Sequence, residues 1–558
     1  MRYFVTSLKT YSPLILLMFY GLFLMFYKSA GSFSGDEATY AEIAREGLFS
    51  HHFFALSLNN VGWFEKPPLL IWLTELSFKS FGISEFSARF SPGVFGISSA
   101  VVLYFLGKEL FGRKIFGFLA GFIFLTTPVI LFYSRSTMMD IPVGFFLSLS
   151  ALAVWKIGGG ERRWWVVFGI ATGLAVMMKS VIGLLPFFFL TPLIFFWKQR
   201  NILKDRFSLW GTGLFFLVSA PWHIFMTLRF GWVFWREYLG FQVFKRATQS
   251  IFSVPWQGNS NGDYLELFFD RSGLWFFVLL VFLAIIAGLW IFQSLHLAKN
   301  ERQNTFLSWV TTNKKGFVFL LCWTGVVLIP FLFAKTKLPQ YMVLAYYPLS
   351  LFVGGCIGYL VQEKKRLALF ILASLSLLNF LPFFLSRVFI FGEAQFLSAK
   401  IWEYFFQRNA SQSIMIASIV LLFFASVFIE QKWKSLFIGL MLFVILTGNM
   451  LVPAYPERNA DVKKIGDYLT ALSQDHSVTV YYRVVPEFYS FPAVITFYIP
   501  LESKVESGQG KNVGILPKDT ADSSVWCYAD RTLASDEEIL QAVFVTSRGI
   551  VDKCSLSL

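Results

Sequence analysis

The chain has 558 residues, of which 56% are hydrophobic, 19% aromatic and 15% charged. Soluble domains carry about 25% charged residues and a single soluble core stops growing at roughly 250–300 residues. This composition therefore excludes a soluble enzyme, a disordered chain and a disulfide scaffold, and it implies a polytopic membrane protein. The net charge of +14 would raise nucleic acid as a partner in a soluble protein, but here the basic residues gather in short loops between apolar runs, as cytoplasmic loops do.

Arg2 and Lys9 precede an apolar run with no small-residue cleavage site, so the run reads as a retained first span. A spanning helix needs about 20 apolar residues. Runs of that kind centre on 13–30, 90–107, 115–133, 141–156, 164–178, 181–197, 208–227, 273–293, 317–334, 342–361, 367–385, 413–429 and 435–452, which makes thirteen. The pair within 164–197 is joined by a tight turn at Lys179-Ser180.

With the N-terminus inside, the even-numbered connections carry Lys108/Arg113/Lys114, Lys156/Arg162/Arg163, the cluster from Lys198 to Arg206, Lys314/Lys315, Lys364/Lys365/Arg366 and Lys432/Lys434. Each is short and basic, as the positive-inside rule demands of cytoplasmic loops. The long connections 31–89, 228–272 and 386–412 then face outward, and an odd span count places the tail outside as well. The expected organisation is a transmembrane region over 1–452 and a small α/β domain over 453–558. In that tail, residues 459–472 have helical spacing. Residues 477–485 and 493–499 are β-branched and aromatic runs of strand length, with further short strands near 512–516 and 542–546. Cys322 and Cys356 sit in apolar runs, whereas Cys527 and Cys554 lie in the polar tail, where a disulfide and two free thiols are both open readings.

The first outer connection contains Ser34-Gly-Asp36-Glu37-Ala-Thr-Tyr40. Ser34 with Glu37 matches the capping box S-x-x-E, which predicts a helix start with Asp36 in its first turn. Acidic residues there either complement the helix dipole or do chemistry. Next comes Trp63-Phe64-Glu65-Lys66-Pro67-Pro68. Lys66 is extended because it precedes a proline, and it is placed either to hold a phosphate as a point charge or to snorkel. Arg135-Ser-Thr-Met-Met-Asp140 follows the third run. An Asp beside an apolar run is a functional candidate, with pairing to Arg135 as the structural alternative. In Lys335-Thr-Lys337-Leu-Pro339-Gln-Tyr341, two lysines in an outer turn go against the positive-inside trend and point to an anion. Lys245-Arg246 follow the aromatic segment Trp232 to Tyr238, and a guanidinium suits bidentate phosphate recognition. Two outward carboxylates, several outward cations and interfacial aromatics together fit an enzyme acting on a lipid-linked phosphate at the outer face. A transporter of lipid-linked sugar is the rival class, although no inverted repeat is visible.

In this order, Asp36-Glu-Ala-Thr-Tyr-Ala, Phe64-Glu-Lys-Pro-Pro-Leu, Arg135 to Asp140 and Lys337-Leu-Pro-Gln-Tyr341 resemble the GT-C integral-membrane glycosyltransferases. The similarity covers the first 350 residues and is greatest to the bacterial branch of lipid A aminoarabinose transferases, related to protein O-mannosyltransferases. The resemblance implies a polytopic α-helical GT-C fold with about thirteen spans and a small C-terminal α/β periplasmic domain. It implies transfer of a sugar from a polyprenyl phosphate donor to a lipid A-type acceptor at the periplasmic face of the inner membrane, by a monomer. A protein or another glycan is the alternative acceptor. Asp36 and Asp140 would be catalytic, and Lys66, Arg246, Tyr341 and Lys337 would bind the donor phosphate. Glu37, Tyr40, Glu65 and Arg135 would support them. A single carboxylate acting as base implies inversion. No nucleotide cofactor is implied, because neither a P-loop nor a dinucleotide fingerprint is present. Members of the family often carry a His before the Pro-Trp of the 228–272 loop, and Ser253-Val254-Pro255-Trp256 has none. The metal requirement therefore stays open.

Overall fold

The structure is a computed structural model that describes residues 13–22, 25–26, 33, 35–50, 53–58, 61–249 and 305–362, together with five strands in the tail. A short apolar helix α1 (Pro13–Leu22) is followed by α2 (Gly35–Ser50), the two-residue strands β1 (Ser57–Leu58) and β2 (Val61–Gly62), and α3 (Leu69–Phe81). The bundle continues with α4 (Glu85–Phe111), α5 (Lys114–Thr126), α6 (Pro128–Ser134), α7 (Asp140–Gly158), α8 (Trp164–Lys179) and α9 (Arg206–Trp235). A π-helical segment (Arg236–Lys245) and a single turn α10 (Arg246–Thr248) complete that stretch. The last helices described are α11 (Thr305–Thr312), α12 (Lys314–Phe333) and α13 (Tyr346–Gln362), with a 3-10 turn (Pro339–Ala345) between the last two.

Local chemistry sets these boundaries. Ser84 caps α4 reciprocally: its hydroxyl accepts from the Ser87 N–H at 3.2 Å, and the Ser87 hydroxyl accepts from the Ser84 N–H at 3.0 Å. Gly112 ends α4 in the left-handed conformation at φ 79°. The run at 115–133, expected as one span, is divided. Pro128 follows Thr127, disfavours helix at that residue and opens a new helix at its own first position. The turn at Lys179-Ser180 reverses the chain as expected. Ser180 has φ 55°, and the 3-10 segment (Ser180–Leu190) runs back along α8 so closely that a Cβ at Gly183 would meet the backbone of Ala175 and Val176. In α9, Gly231 at φ 55° kinks the helix near its end.

Six helical stretches among the described residues are long and apolar enough to cross a membrane: Glu85–Phe111, Asp140–Gly158, Trp164–Phe196, Arg206–Thr248, Lys314–Phe333 and Pro339–Gln362. The Lys179-Ser180 turn lies within the third of them. The spans expected at 273–293, 367–385, 413–429 and 435–452 lie outside the described residues. The core between the helices is aromatic, with Phe33, Phe116, Phe124, Phe189, Trp323 and Tyr347 fully buried. Leu209, Trp210, Leu217 and Leu228 of α9 are exposed, an outward row suited to hydrocarbon.

The described tail residues form one mixed sheet. Strands β3 (Thr479–Arg483), β4 (Val505–Ser507), β5 (Val525–Asp530), β6 (Phe544–Val545) and β7 (Gly549–Lys553) lie in the order β4-β3-β5-β7-β6. The β3 strand is parallel to β4 and β5, and β7 is antiparallel to β5 and β6. The expected strands at 477–485 and 542–546 are present. The expected helix at 459–472, the strands at 493–499 and 512–516, and Cys554 lie outside the described residues. Strands β4, β5 and β7 were not expected from the sequence.

Candidate active site

The site is built where several connections meet at one end of the helices. Asp36 is the second residue of α2, and Asp140 the first of α7. A helix N-terminus favours negative charge at both positions. Glu65 and Lys66 come from the loop that enters α3, Lys179 from the last position of α8, Arg246 from the first position of α10, and Tyr341 from the turn before α13. Each of these residues lies in or beside an odd-numbered connection, so the alternation read from the loop charges gathers them at a common end.

Asp36 is exposed, yet protein surrounds it closely enough that desolvation is the largest influence on its carboxyl. That desolvation, with the neighbouring charges of Glu65 and Asp140, raises its pKa, while Arg246 and Lys66 oppose the rise. Four of the charged residues singled out in the sequence therefore act on a fifth. Lys66 is pushed down to about 8, first by burial and then by the like charges of Arg246 and Lys179, against the attraction of Glu65 and Asp36. Its ammonium donates to the Gln242 side-chain oxygen at 3.2 Å and to the Glu65 carbonyl at 3.3 Å. Tyr40 lies one turn along α2 from Asp36. Burial, then the charges of Asp36, Glu65 and Asp140, raises its phenol well above the ordinary range. Its ring meets Trp63 edge-on at 6.0 Å.

Asp140 pairs with the Lys179 ammonium, and both side chains are buried. This is a different partner from Arg135, the structural alternative in the sequence. Arg135 is itself buried in the turn before α7. Lys179 also lies 5.8 Å from the centre of the Tyr341 ring, which stacks on Phe331 at 4.9 Å. The Thr336 N–H donates to the Arg246 carbonyl at 3.0 Å, and the Lys335 N–H donates to the Ala247 carbonyl at 3.0 Å. These two backbone bonds fasten the turn carrying Tyr341 to the segment carrying Arg246.

Two of the residues singled out in the sequence are held by protein partners. Both Glu37 oxygens accept from the buried Arg89 guanidinium, and Ser34, the other half of the expected capping box, lies outside the described residues. The Lys337 ammonium donates to the carbonyls of Leu332 at 3.1 Å and Ala334 at 3.0 Å, at the end of α12. A lysine suits that position because it complements the helix dipole.

Sequence reasoning missed Lys179, Arg89 and Gln242. Lys179 gave a signal, being an ionisable residue inside an apolar run, but it was read as part of a turn. Among the described residues, no three His, Cys, Asp or Glu side chains come together to hold a metal ion.

Residues 65–225, which include Glu65, Lys66, Asp140 and Lys179, match the dolichyl-phosphate-mannose-protein mannosyltransferase family. The chain is 25% identical over 340 residues to an undecaprenyl phosphate-alpha-4-amino-4-deoxy-L-arabinose arabinosyl transferase of Wigglesworthia glossinidia brevipalpis, covering 60% of this chain and 56% of that one. A protein of the same name from Pectobacterium atrosepticum is 25% identical over 465 residues, 80% of this chain and 77% of that one. The crystal structure of ArnT from Cupriavidus metallidurans bound to undecaprenyl phosphate superposes with a TM-score of 0.69 at 16% identity, over 97% of this chain and 98% of that one. The chain resembles the aminoarabinose transferases among the GT-C membrane glycosyltransferases. At 16% identity the ArnT likeness establishes the fold. The sequence matches to the Wigglesworthia relative and to one from Proteus mirabilis span 56% and 54% of those proteins, little more than half their length.

Proposed function

We propose that this protein transfers a sugar from a polyprenyl phosphate donor, undecaprenyl phosphate in kind, to a lipid A-type lipopolysaccharide at the periplasmic face of the inner membrane. The observation that carries the proposal is the convergence on Asp36 of Glu65, Lys66, Asp140 and Arg246. A carboxylate of raised pKa suits a general base, and cations beside it suit a departing phosphate. The ArnT fold and the names of the curated relatives support the same reading.

In the proposed reaction, an acceptor oxygen attacks the anomeric carbon as the bond from that carbon to the donor phosphate oxygen breaks. Where the acceptor is a hydroxyl, its proton passes to Asp36, and configuration inverts because no covalent intermediate forms. Where the acceptor is a phosphate, Asp36 orients the nucleophile instead. Asp140, ion-paired with Lys179, brings a partly offset negative charge near Asp36. Lys66, Arg246 and Tyr341 take the departing polyprenyl phosphate, and Lys337 holds the turn that carries Tyr341. The donor's own phosphoester supplies the driving force, so the scheme needs no nucleotide.

The test is direct. Purified protein given a polyprenyl phosphate sugar and lipid A should release free polyprenyl phosphate and glycosylated lipid A, and Asp36→Asn should abolish both. Movement of the donor across a bilayer without release would replace this reading with a transporter. Normal turnover by Asp36→Asn would remove Asp36 as the base.

A further inference from the structure

Gln242 is buried, at 8% exposure, on the π-helical segment that runs directly into Arg246. It lies 176 residues along the chain from Lys66, yet its side-chain oxygen is, among the described residues, one of two hydrogen-bond acceptors of the Lys66 ammonium, at 3.2 Å. The other acceptor is the backbone carbonyl of Glu65. Both acceptors are neutral. An ammonium has three donors, so two fix its position and the third stays available to a ligand. Neither hydrogen-bonded acceptor cancels its charge.

The charges around Lys66 make such a tether necessary. Glu65 and Asp36 attract the ammonium, whereas Arg246 and Lys179 repel it. Without an anion between them, cations in one pocket separate unless something holds them. Gln242 holds Lys66 from the segment that runs straight into the turn carrying Arg246, which gives the two cations a common frame.

We propose that Gln242 is a positioning residue that keeps the Lys66 ammonium in register with Arg246, so that both meet one phosphate group of a lipid-linked donor. The inference rests on the donor-phosphate reading of the site given above. A carboxamide suits this task where a carboxylate does not, because a glutamate at 242 would ion-pair with Lys66 and compete with the phosphate. An apolar residue at 242 would leave the Lys66 ammonium one acceptor short and untied from the segment that leads into Arg246.

The experiment measures binding of undecaprenyl phosphate to the purified full-length protein as pH is raised through about 8, the Lys66 midpoint. Gln242→Glu should weaken binding about tenfold or more, the worth of a charge-assisted hydrogen bond. It should also move the alkaline midpoint upward, since a carboxylate stabilises the ammonium. Gln242→Met, of similar length, should weaken binding less and move the midpoint downward, since an acceptor is lost. A merely structural role would not move the midpoint in opposite directions. Wild-type affinity and midpoint in both variants, or shifts in the same direction, would overturn the inference. Lys66→Met separates the two levels: if it binds as tightly as wild type, the donor-phosphate reading falls and this inference with it. If Lys66→Met loses binding while both Gln242 variants behave as wild type, the Gln242 inference alone falls.

Discussion

The Glu37 carboxylate is held at both oxygens by the Arg89 guanidinium, at 2.6 and 3.0 Å, and it accepts a third hydrogen bond from the Thr137 N–H at 3.0 Å. Three elements meet at this group: α2, α4 and the turn that precedes α7. Glu37 adjoins Asp36 in sequence, and Thr137 lies three residues before Asp140, so a buried ion pair ties the start of α2 to the turn that leads to Asp140.

Arg89→Met should cost about 3–5 kcal/mol, because it strands a buried carboxylate. Adding Glu37→Gln should return part of that loss. Thermal unfolding of the purified protein in detergent tests this, and an unchanged midpoint in Arg89→Met would refute it.

The pH dependence of kcat/KM should be bell-shaped. Asp36 must be ionised to act as a base, so activity should fall as pH drops through its raised pKa, placing the acid limb above the ordinary carboxylate range. Lys66 must be protonated to hold phosphate, so activity should fall again as pH rises through about 8. In Lys66→Arg the alkaline limb should disappear, since a guanidinium stays charged. An alkaline limb that persists near the same pH would assign it to another group.

Asp140 and Lys179 should act as a unit. Lys179→Met leaves Asp140 charged and buried, so it should lower kcat at least tenfold, an effect of about 1.4 kcal/mol. The double variant Lys179→Met/Asp140→Asn should be no worse than the poorer single one. Kinetic constants for the three proteins decide the matter, and strictly multiplicative losses would show that the pair does not couple.

Glu75, on α3, is buried with one carboxyl oxygen unpartnered among the described residues, and burial pushes its pKa up to about 7. Lys79, four residues on, opposes the rise. A raised carboxyl pKa means that the folded protein keeps a proton that the unfolded chain has released. Stability is therefore full below the ordinary carboxyl range and is lost as pH rises through about 7. Discounted for partial solvation, the loss is about 1–2 kcal/mol. Glu75→Gln should raise the unfolding midpoint at pH 8 and leave it nearly unchanged at pH 4. An equal effect at both values would contradict the linkage.

The sequence singles out Asp36, Lys66 and Asp140 because a charge in a connection between apolar runs is conspicuous. The loop charges also indicated which connections share an end. Lys179, Arg89 and Gln242 were not legible in the same way, since each takes its meaning from a partner 39, 52 or 176 residues away. Lys337 was visible as a cation, but its destination depends on where α12 ends. The break at Thr127-Pro128 was foreseeable from the proline alone, whereas hydropathy averaged across it read a single span. In the tail, strand-like composition marked β3 and β6, but the register that makes a mixed sheet is set by contacts that no local pattern records.

The winding of residues 236–245 has a consequence for how this site tolerates change. A π-helix closes its hydrogen bonds five residues apart, where an α-helix closes them at four, so the segment holds surplus chain relative to ordinary helical winding. Removing a single residue between Trp235 and Arg246 would let the stretch rewind towards α-helical hydrogen bonding and change where Arg246 points around the axis. The direction in which that guanidinium points is thus set by a residue count rather than by any one side chain, and a deletion that spares every charged group would still disarm the pocket.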